Sequence, residues 1–206
     1  MTRRTIIVGA ALAFVFLAAG TWALASWLTT QPGSQAGGQA LIKSEFSLID
    51  HTGKPVTNAD FAGKWQLVFF GFTYCPDVCP TTLNDIALVL EDLGDEANQM
   101  QPLFITVDPE RDTPEVLAEY VGNFDPRIIG LTGSPEQIKQ AARAFRVYYA
   151  KVEQTGAPGG YTMDHSAFVY LMDPKGDYAT HFGPNEEPAA IADEIRAFLH
   201  GDKTVA

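Results

Sequence analysis

Apolar and polar positions divide the chain into short elements separated by turn signals. The first is an uncharged, mostly apolar run from Ile6 to Leu28. Read as a helix rising 1.5 Å per residue, it is about 34 Å long, enough for a hydrocarbon core of about 30 Å. Thr29 to Gln39 (TTQPGSQAGGQ) is Gly-, Ser- and Gln-rich, the composition of a flexible tether. Beyond it, Phe46–Asp50 predicts a short strand, His51-Thr52-Gly53-Lys54 a turn, and Pro55–Thr57 a second strand. Trp65–Phe72 (WQLVFFGF) is apolar and aromatic almost throughout, the pattern of a strand covered on both faces. Thr81–Leu93 places Leu83, Ile86, Ala87, Leu90 and Leu93 at helical spacing and stops at Gly94.

Leu103–Val107 predicts another buried strand. Thr113-Pro114-Glu115 is a cap followed by proline at the first helical position, opening a helix to about Val121. After a short strand at Ile128–Leu131, Ser134-Pro135-Glu136 repeats that signal for a helix to about Phe145. Ala167–Met172 and Tyr178–Phe182 form a hairpin around the turn Asp173-Pro174-Lys175-Gly176, and Pro188–Leu199 is a closing amphipathic helix. This order predicts an α/β domain, a mixed sheet flanked by helices on both faces, and it fits the thioredoxin-like fold. The expected division is an N-terminal membrane anchor or signal sequence over 1–28, a linker over 29–40, the domain over 41–200 and a tail over 201–206.

Charge decides which side of the membrane the domain occupies. Arg3 and Arg4 precede the apolar run and no basic residue follows closely, which places the N-terminus in the cytoplasm and the domain on the exported side. A cleaved signal peptide is the competing reading, because Ala23-Leu24-Ala25 before Ser26 has the small-residue spacing of a cleavage site. The apolar run continues through Trp27 and Leu28, longer than the usual signal core, and this favours the uncleaved anchor. Thr2-Arg3-Arg4 alone is too little to define a twin-arginine signal. Both readings export the domain. Of 206 residues, 46% are hydrophobic and 11% aromatic, ordinary for a packed protein, and the formal net charge is -11. So acidic a chain excludes nucleic acid as a partner, since phosphate binding needs clustered Lys and Arg.

The only cysteines, Cys75 and Cys79, lie in Gly71-Phe72-Thr73-Tyr74-Cys75-Pro76-Asp77-Val78-Cys79-Pro80, where the buried strand gives way to a helix. Pro80 disfavours helical geometry at the residue before it, so Cys79 is expected as the N-cap and Cys75–Val78 as an irregular loop. Cysteines four apart in a regular helix hold their Cβ atoms about 5–6 Å apart, whereas a disulfide wants about 3.8 Å. A loop can turn both sulfurs toward each other or toward one metal ion. The helix N-terminus favours the thiolate, the form that binds metal and attacks disulfides. A purely structural bridge closing so short a loop would stabilise little.

Two thiolates underfill a metal site, so a third ligand is needed. His51 in a turn and His200 near the C-terminus read as solvated, and His181 as a surface or packing group. His165 follows the Gly/Pro-rich stretch Gly156-Ala157-Pro158-Gly159-Gly160 and immediately precedes a buried strand. A mobile loop would deliver it to a sheet end. Position alone singles it out without making it a ligand.

Tyr74-Cys75-Pro76-Asp77-Val78-Cys79-Pro80, together with Asp164-His165-Ser166 leading into Tyr170-Leu171-Met172-Asp173-Pro174-Lys175-Gly176, resembles the Sco/SenC family. Val107-Asp108-Pro109-Glu110-Arg111-Asp112-Thr113-Pro114 is similar to its central segment. The likeness runs from about Leu41 to Leu199 and extends to an N-terminal anchor. It implies a thioredoxin-like domain that binds copper through Cys75, Cys79 and His165. It also implies a role in building the binuclear copper centre of cytochrome c oxidase, by metal delivery, by thiol reduction of that centre's cysteines, or both. The expected partners are therefore the copper-bearing oxidase subunit and the membrane.

Two thiolates and an imidazole suit Cu(I), whereas a closed structural zinc site wants a fourth ligand. Asp164 is a candidate for that ligand, for a group orienting the imidazole, or for a turn cap. A copper metallochaperone is the leading reading and a thiol–disulfide oxidoreductase using Cys75 and Cys79 the alternative. The spacing separates them in part, because dedicated oxidoreductases of this fold use C-x-x-C. A peroxidase would have no use for His165.

Overall fold

Strands β3 (Trp65–Gly71) and β4 (Met100–Thr106) form the centre because their core-facing runs are scarcely interrupted by polar residues. Every residue of β3 from Gln66 onward is buried, as is β4 from Pro102. Successive side chains of a strand point to opposite faces, so both faces of these strands are covered. They pair in parallel, with Val68 opposite Leu103 and Phe70 opposite Ile105. This computed structural model describes residues 42–203. The anchor or signal sequence expected over 1–28, the tether over 29–40 and the last three residues of the tail lie outside them. Among the described residues, no helix is long and apolar enough to cross a membrane.

On one side of the centre, β5 (Ile129–Thr132) runs parallel to β4. Antiparallel β1 (Ser47–Asp50) and β2 (Pro55–Thr57) complete that edge. On the other side, β8 (Val169–Met172) runs antiparallel to β3, followed by β9 (Tyr178–Phe182). The seven-stranded mixed sheet therefore has the order β2-β1-β5-β4-β3-β8-β9. Helix α1 (Val78–Leu93) packs on α4 (Pro188–Leu199), α2 (Pro114–Val121) on β5, and α3 (Pro135–Ala144) on β1. The two proline-opened helices begin where the sequence places them. The Thr113 hydroxyl accepts from Val116 N, and Ser134 and Gln137 form a reciprocal capping box.

Two local expectations are corrected. Helix α1 begins at Val78 with Asp77 as its N-cap, so Cys79 lies within the first turn and is not the cap. Amides in a first turn have no intrahelical acceptor, so Pro80 costs no hydrogen bond there and its steric preference is overridden. The stretch expected to be a mobile loop is the tip of an antiparallel hairpin. Its strands are β6 (Tyr149–Glu153) and β7 (Tyr161–His165), paired from Tyr149–His165 to Glu153–Tyr161. Gly159 and Gly160, at φ 73° and 78°, make the reversal before β7, a backbone region costly for residues with a Cβ.

The end of β3 leaves no spare room. A Cβ on Gly71 would stand 2.8 Å from the Phe104 ring and 2.9 Å from Cys79 Sγ, both fully buried. Gly71→Ala should therefore cost about 1–3 kcal/mol through overpacking. Thermal unfolding would report it as a lowered Tm, and an unchanged Tm would contradict so close an approach.

Candidate metal centre

Topology brings both cysteines and His165 to one end of the sheet. The cysteine loop leaves the carboxyl end of β3, the edge at which open α/β sheets place their sites. Strand β8 is antiparallel to β3 with Val169 opposite Phe69. The chain entering β8 must therefore arrive at that same end, and β7 delivers His165 just before it. Neither cysteine is in a disulfide; Cys79 is fully buried and Cys75 partly exposed.

Hydrogen bonds join the three side chains. The Cys79 backbone N–H donates to Cys75 Sγ at 3.4 Å, so the sulfur takes the place of a capping oxygen; Asp77, the N-cap, makes no side-chain cap bond. His165 Nε2 lies 3.5 Å from Cys79 Sγ, and Nδ1 lies 3.0 Å from the Ser166 carbonyl. A carbonyl oxygen only accepts, so Nδ1 carries a proton and donates to it, and Nε2 is the ring nitrogen turned toward the sulfurs. The rings of Phe72 and Phe69 pack edge-on at 5.8 and 6.2 Å and fix the imidazole's orientation. Among the described residues, no three of His, Cys, Asp and Glu are pre-arranged as a metal cage. Binding an ion here would exchange these hydrogen bonds for metal–ligand bonds.

The two sulfurs have opposite acid–base character. A hydrogen bond from Cys79 lowers the Cys75 pKa to about 4, and His165 and the amides of Asp77 and Cys79 add to the effect against burial. Cys79 is pushed upward, first by serving as the donor to Cys75 and then by burial. The reduced pair is thus a Cys75 thiolate held by a Cys79 thiol. Alkylation of Cys75 should proceed at a nearly constant rate from about pH 8 to 6 and fall only near its pKa of about 4. An ordinary thiol would slow by nearly a hundredfold over that interval. Mass spectrometry of iodoacetamide-treated protein distinguishes these outcomes.

Beneath the loop lies a group whose role no local sequence pattern discloses. The Asp112 carboxylate, fully buried, accepts from Thr73 N at 3.1 Å, Thr73 Oγ1 at 2.6 Å and Thr106 Oγ1 at 2.5 Å. Burial raises its pKa against these bonds. It fixes the chain two residues before Cys75. The Tyr120 hydroxyl, also buried, has no hydrogen-bond partner among the described residues, and its pKa is raised by burial and by the neighbouring cysteines. The segment Val107–Pro114, notable in the sequence only for its likeness to a family segment, supplies Asp108, Arg111 and Asp112 to the surroundings of the site.

The remaining candidates fall elsewhere. Asp164 is exposed and out of phase with His165 on β7, and the Ser166 carbonyl faces the imidazole's second nitrogen. His51 is more than a solvated turn residue, because its Nδ1 accepts from Gly130 N at 3.0 Å. His181 packs on Phe168 with ring centroids 5.0 Å apart, and exposed His200 meets Glu96 at 2.7 Å.

Fold and site together define a thioredoxin-like protein with a thiol, a thiolate and an imidazole at one sheet end. The SCO1/SenC family model matches residues 34–200, and the chain belongs to that family. It is 43% identical over 161 residues to the mitochondrial SCO1 homolog 1 of Arabidopsis thaliana, covering 78% of this chain and 48% of that protein. The chain thus spans about half the length of that relative. It is similar to the crystal structure of Arabidopsis thaliana ScoI with copper bound. The TM-score is 0.74 at 42% identity, over 78% of this chain and 99% of the other. It is also similar to BsSco, a member of the Sco family of cytochrome c oxidase assembly proteins in which a disulfide switch was identified. There the TM-score is 0.60 at 25% identity, covering 76% of this chain and 92% of BsSco.

Proposed function

We propose that this chain is a copper metallochaperone that holds one copper ion through Cys75, Cys79 and His165. It delivers the ion in building the binuclear copper centre of cytochrome c oxidase, with the copper-bearing subunit as its partner. The observation that carries this reading is the convergence of His165 Nε2 on Cys79 Sγ at 3.5 Å. Cys75 is bonded to the same turn, and these donors suit copper. Copper is cargo here, so the site must release it as well as bind it. The copper-bound Arabidopsis relative supports the choice of ion. Arg3, Arg4 and the apolar run to Leu28 support an anchored domain on the exported side, joined to its anchor by the tether over 29–40.

One observation favours a second role for the same pair. Cys75 is a thiolate beside a protonated thiol, the arrangement that a dithiol reductant of the oxidase's copper-centre cysteines would use. Anaerobic titration of the full chain tests the leading reading: one Cu(I) per chain is expected, and none once both thiols are blocked. A reduced chain that takes up no copper yet reduces a small disulfide would overturn it in favour of the oxidoreductase.

A further inference from the structure

The hairpin carrying His165 is not part of the main sheet. Two strands alone are at best marginally stable in water, so other contacts must hold β6 and β7 in place. Apart from core contacts of Tyr149 and Met163 and the contacts of His165 itself with Phe69, Phe72 and Cys79, the anchoring converges on one side chain. Arg111 is 13% exposed and is ion-paired through Nε to Asp108, whose carboxylate is buried. Its Nη1 donates to the Pro158 carbonyl at 2.8 Å and to the Tyr161 carbonyl at 3.2 Å, both in or beside the hairpin. The guanidinium carbon lies 3.8 Å from the Tyr161 ring centroid and 4.7 Å from that of Tyr74, the residue before Cys75. The Tyr161 hydroxyl closes the circuit by donating to Asp108 at 2.9 Å. The one other charged tie among the described residues, Lys151 to Glu110 at 2.7 Å, is solvent-exposed and holds little.

We propose that Arg111 is a positioning residue that couples the cysteine loop to the strand carrying His165, and so sets how firmly the imidazole stays at the sulfurs. Tyr161 and His165 are four apart on β7 and therefore share a face, about 13 Å from one another. Fixing one end of so short a strand limits the swing of the other. A planar guanidinium serves both ends, since it lies close to the rings of Tyr74 and Tyr161 while its Nη1 donates to carbonyls. An ammonium at this position would keep the charge and lose the fork. The inference rests on His165 being a copper ligand.

The test is a double-mutant cycle on the Cu(II)-loaded full chain, comparing wild type, Arg111→Ala, His165→Ala and the double variant. The readouts are the rate of Cu(II) release to excess EDTA and the sulfur-to-copper absorption spectrum. Arg111→Ala should speed release about tenfold and move the spectrum toward that of His165→Ala, the scale on which outer partners of metal ligands act. In the double variant, loss of Arg111 should add almost nothing. An unchanged release rate in Arg111→Ala, or the same acceleration with and without His165, would overturn the coupling. A His165→Ala chain identical to wild type would instead overturn the ligand assignment on which the coupling depends. If Arg111→Ala does not fold, Arg111→Lys takes its place in the cycle, and the same outcomes support or overturn the coupling.

Discussion

Cys75→Ala and Cys79→Ala are each expected to lower Cu(I) affinity by more than about 100-fold, beyond the range that loss of an outer partner produces. Either variant leaves one sulfur and one imidazole, a poor set for a soft ion. The two should differ in what remains. Cys75→Ala removes the partly exposed thiolate and leaves a buried Cys79 without the partner that is the first cause of its raised pKa. Cys79→Ala removes the first cause of the low Cys75 pKa, so Cys75 should also regain the pH dependence of an ordinary thiol. Competition against a Cu(I) chelator under anaerobic conditions measures the first effect, and alkylation against pH the second. Wild-type Cu(I) affinity in either variant would remove the cysteine pair from the site.

Oxidation should have an equally large effect. Cys75 and Cys79 are expected to form a reversible disulfide with oxidised glutathione: the thiolate and thiol give up two electrons and the one proton on Cys79, and glutathione leaves as two thiols, the second proton coming from solvent. The bond consumes both sulfur donors, so the oxidised chain should bind no copper until a dithiol restores it. The geometry favours closure, because the Cys79 amide already holds Cys75 Sγ against the first turn of α1. Thiol trapping across a series of glutathione potentials, followed by copper loading, gives the result. A pair that stays reduced under strong oxidant would mean that the sulfurs never meet.

Much of the fold is legible in the sequence because its central strands are apolar with little interruption and its helices open on Thr113-Pro114 and Ser134-Pro135. The β6–β7 hairpin is not. Tyr149–Glu153 is half-buried to exposed throughout, so its residues give no contrast between an inner and an outer face. Helix α1 starts earlier than Pro80 suggests, because a first helical turn tolerates proline. Cys75, Cys79 and His165 are readable because rare chemistry stands at sheet ends and because their motifs resemble a known family. Asp112 and Arg111 are not, since each takes its bearing on the site from partners distant in sequence: Thr73 in one case, Tyr74 and Pro158 in the other. No local pattern encodes such a contact.

The central claim is that an imidazole 86 residues away from Cys79 completes the copper site. The measurement that tests it most directly is the Cu(II) absorption and electron paramagnetic resonance spectrum of the full chain with and without His165. His165→Ala should alter the spectrum and weaken Cu(II) retention, because Cu(II) favours nitrogen more than Cu(I) does, while disulfide exchange with a small oxidant stays largely intact. Identical Cu(II) spectra for wild type and His165→Ala would contradict the account and leave Cys75 and Cys79 as a dithiol reductant.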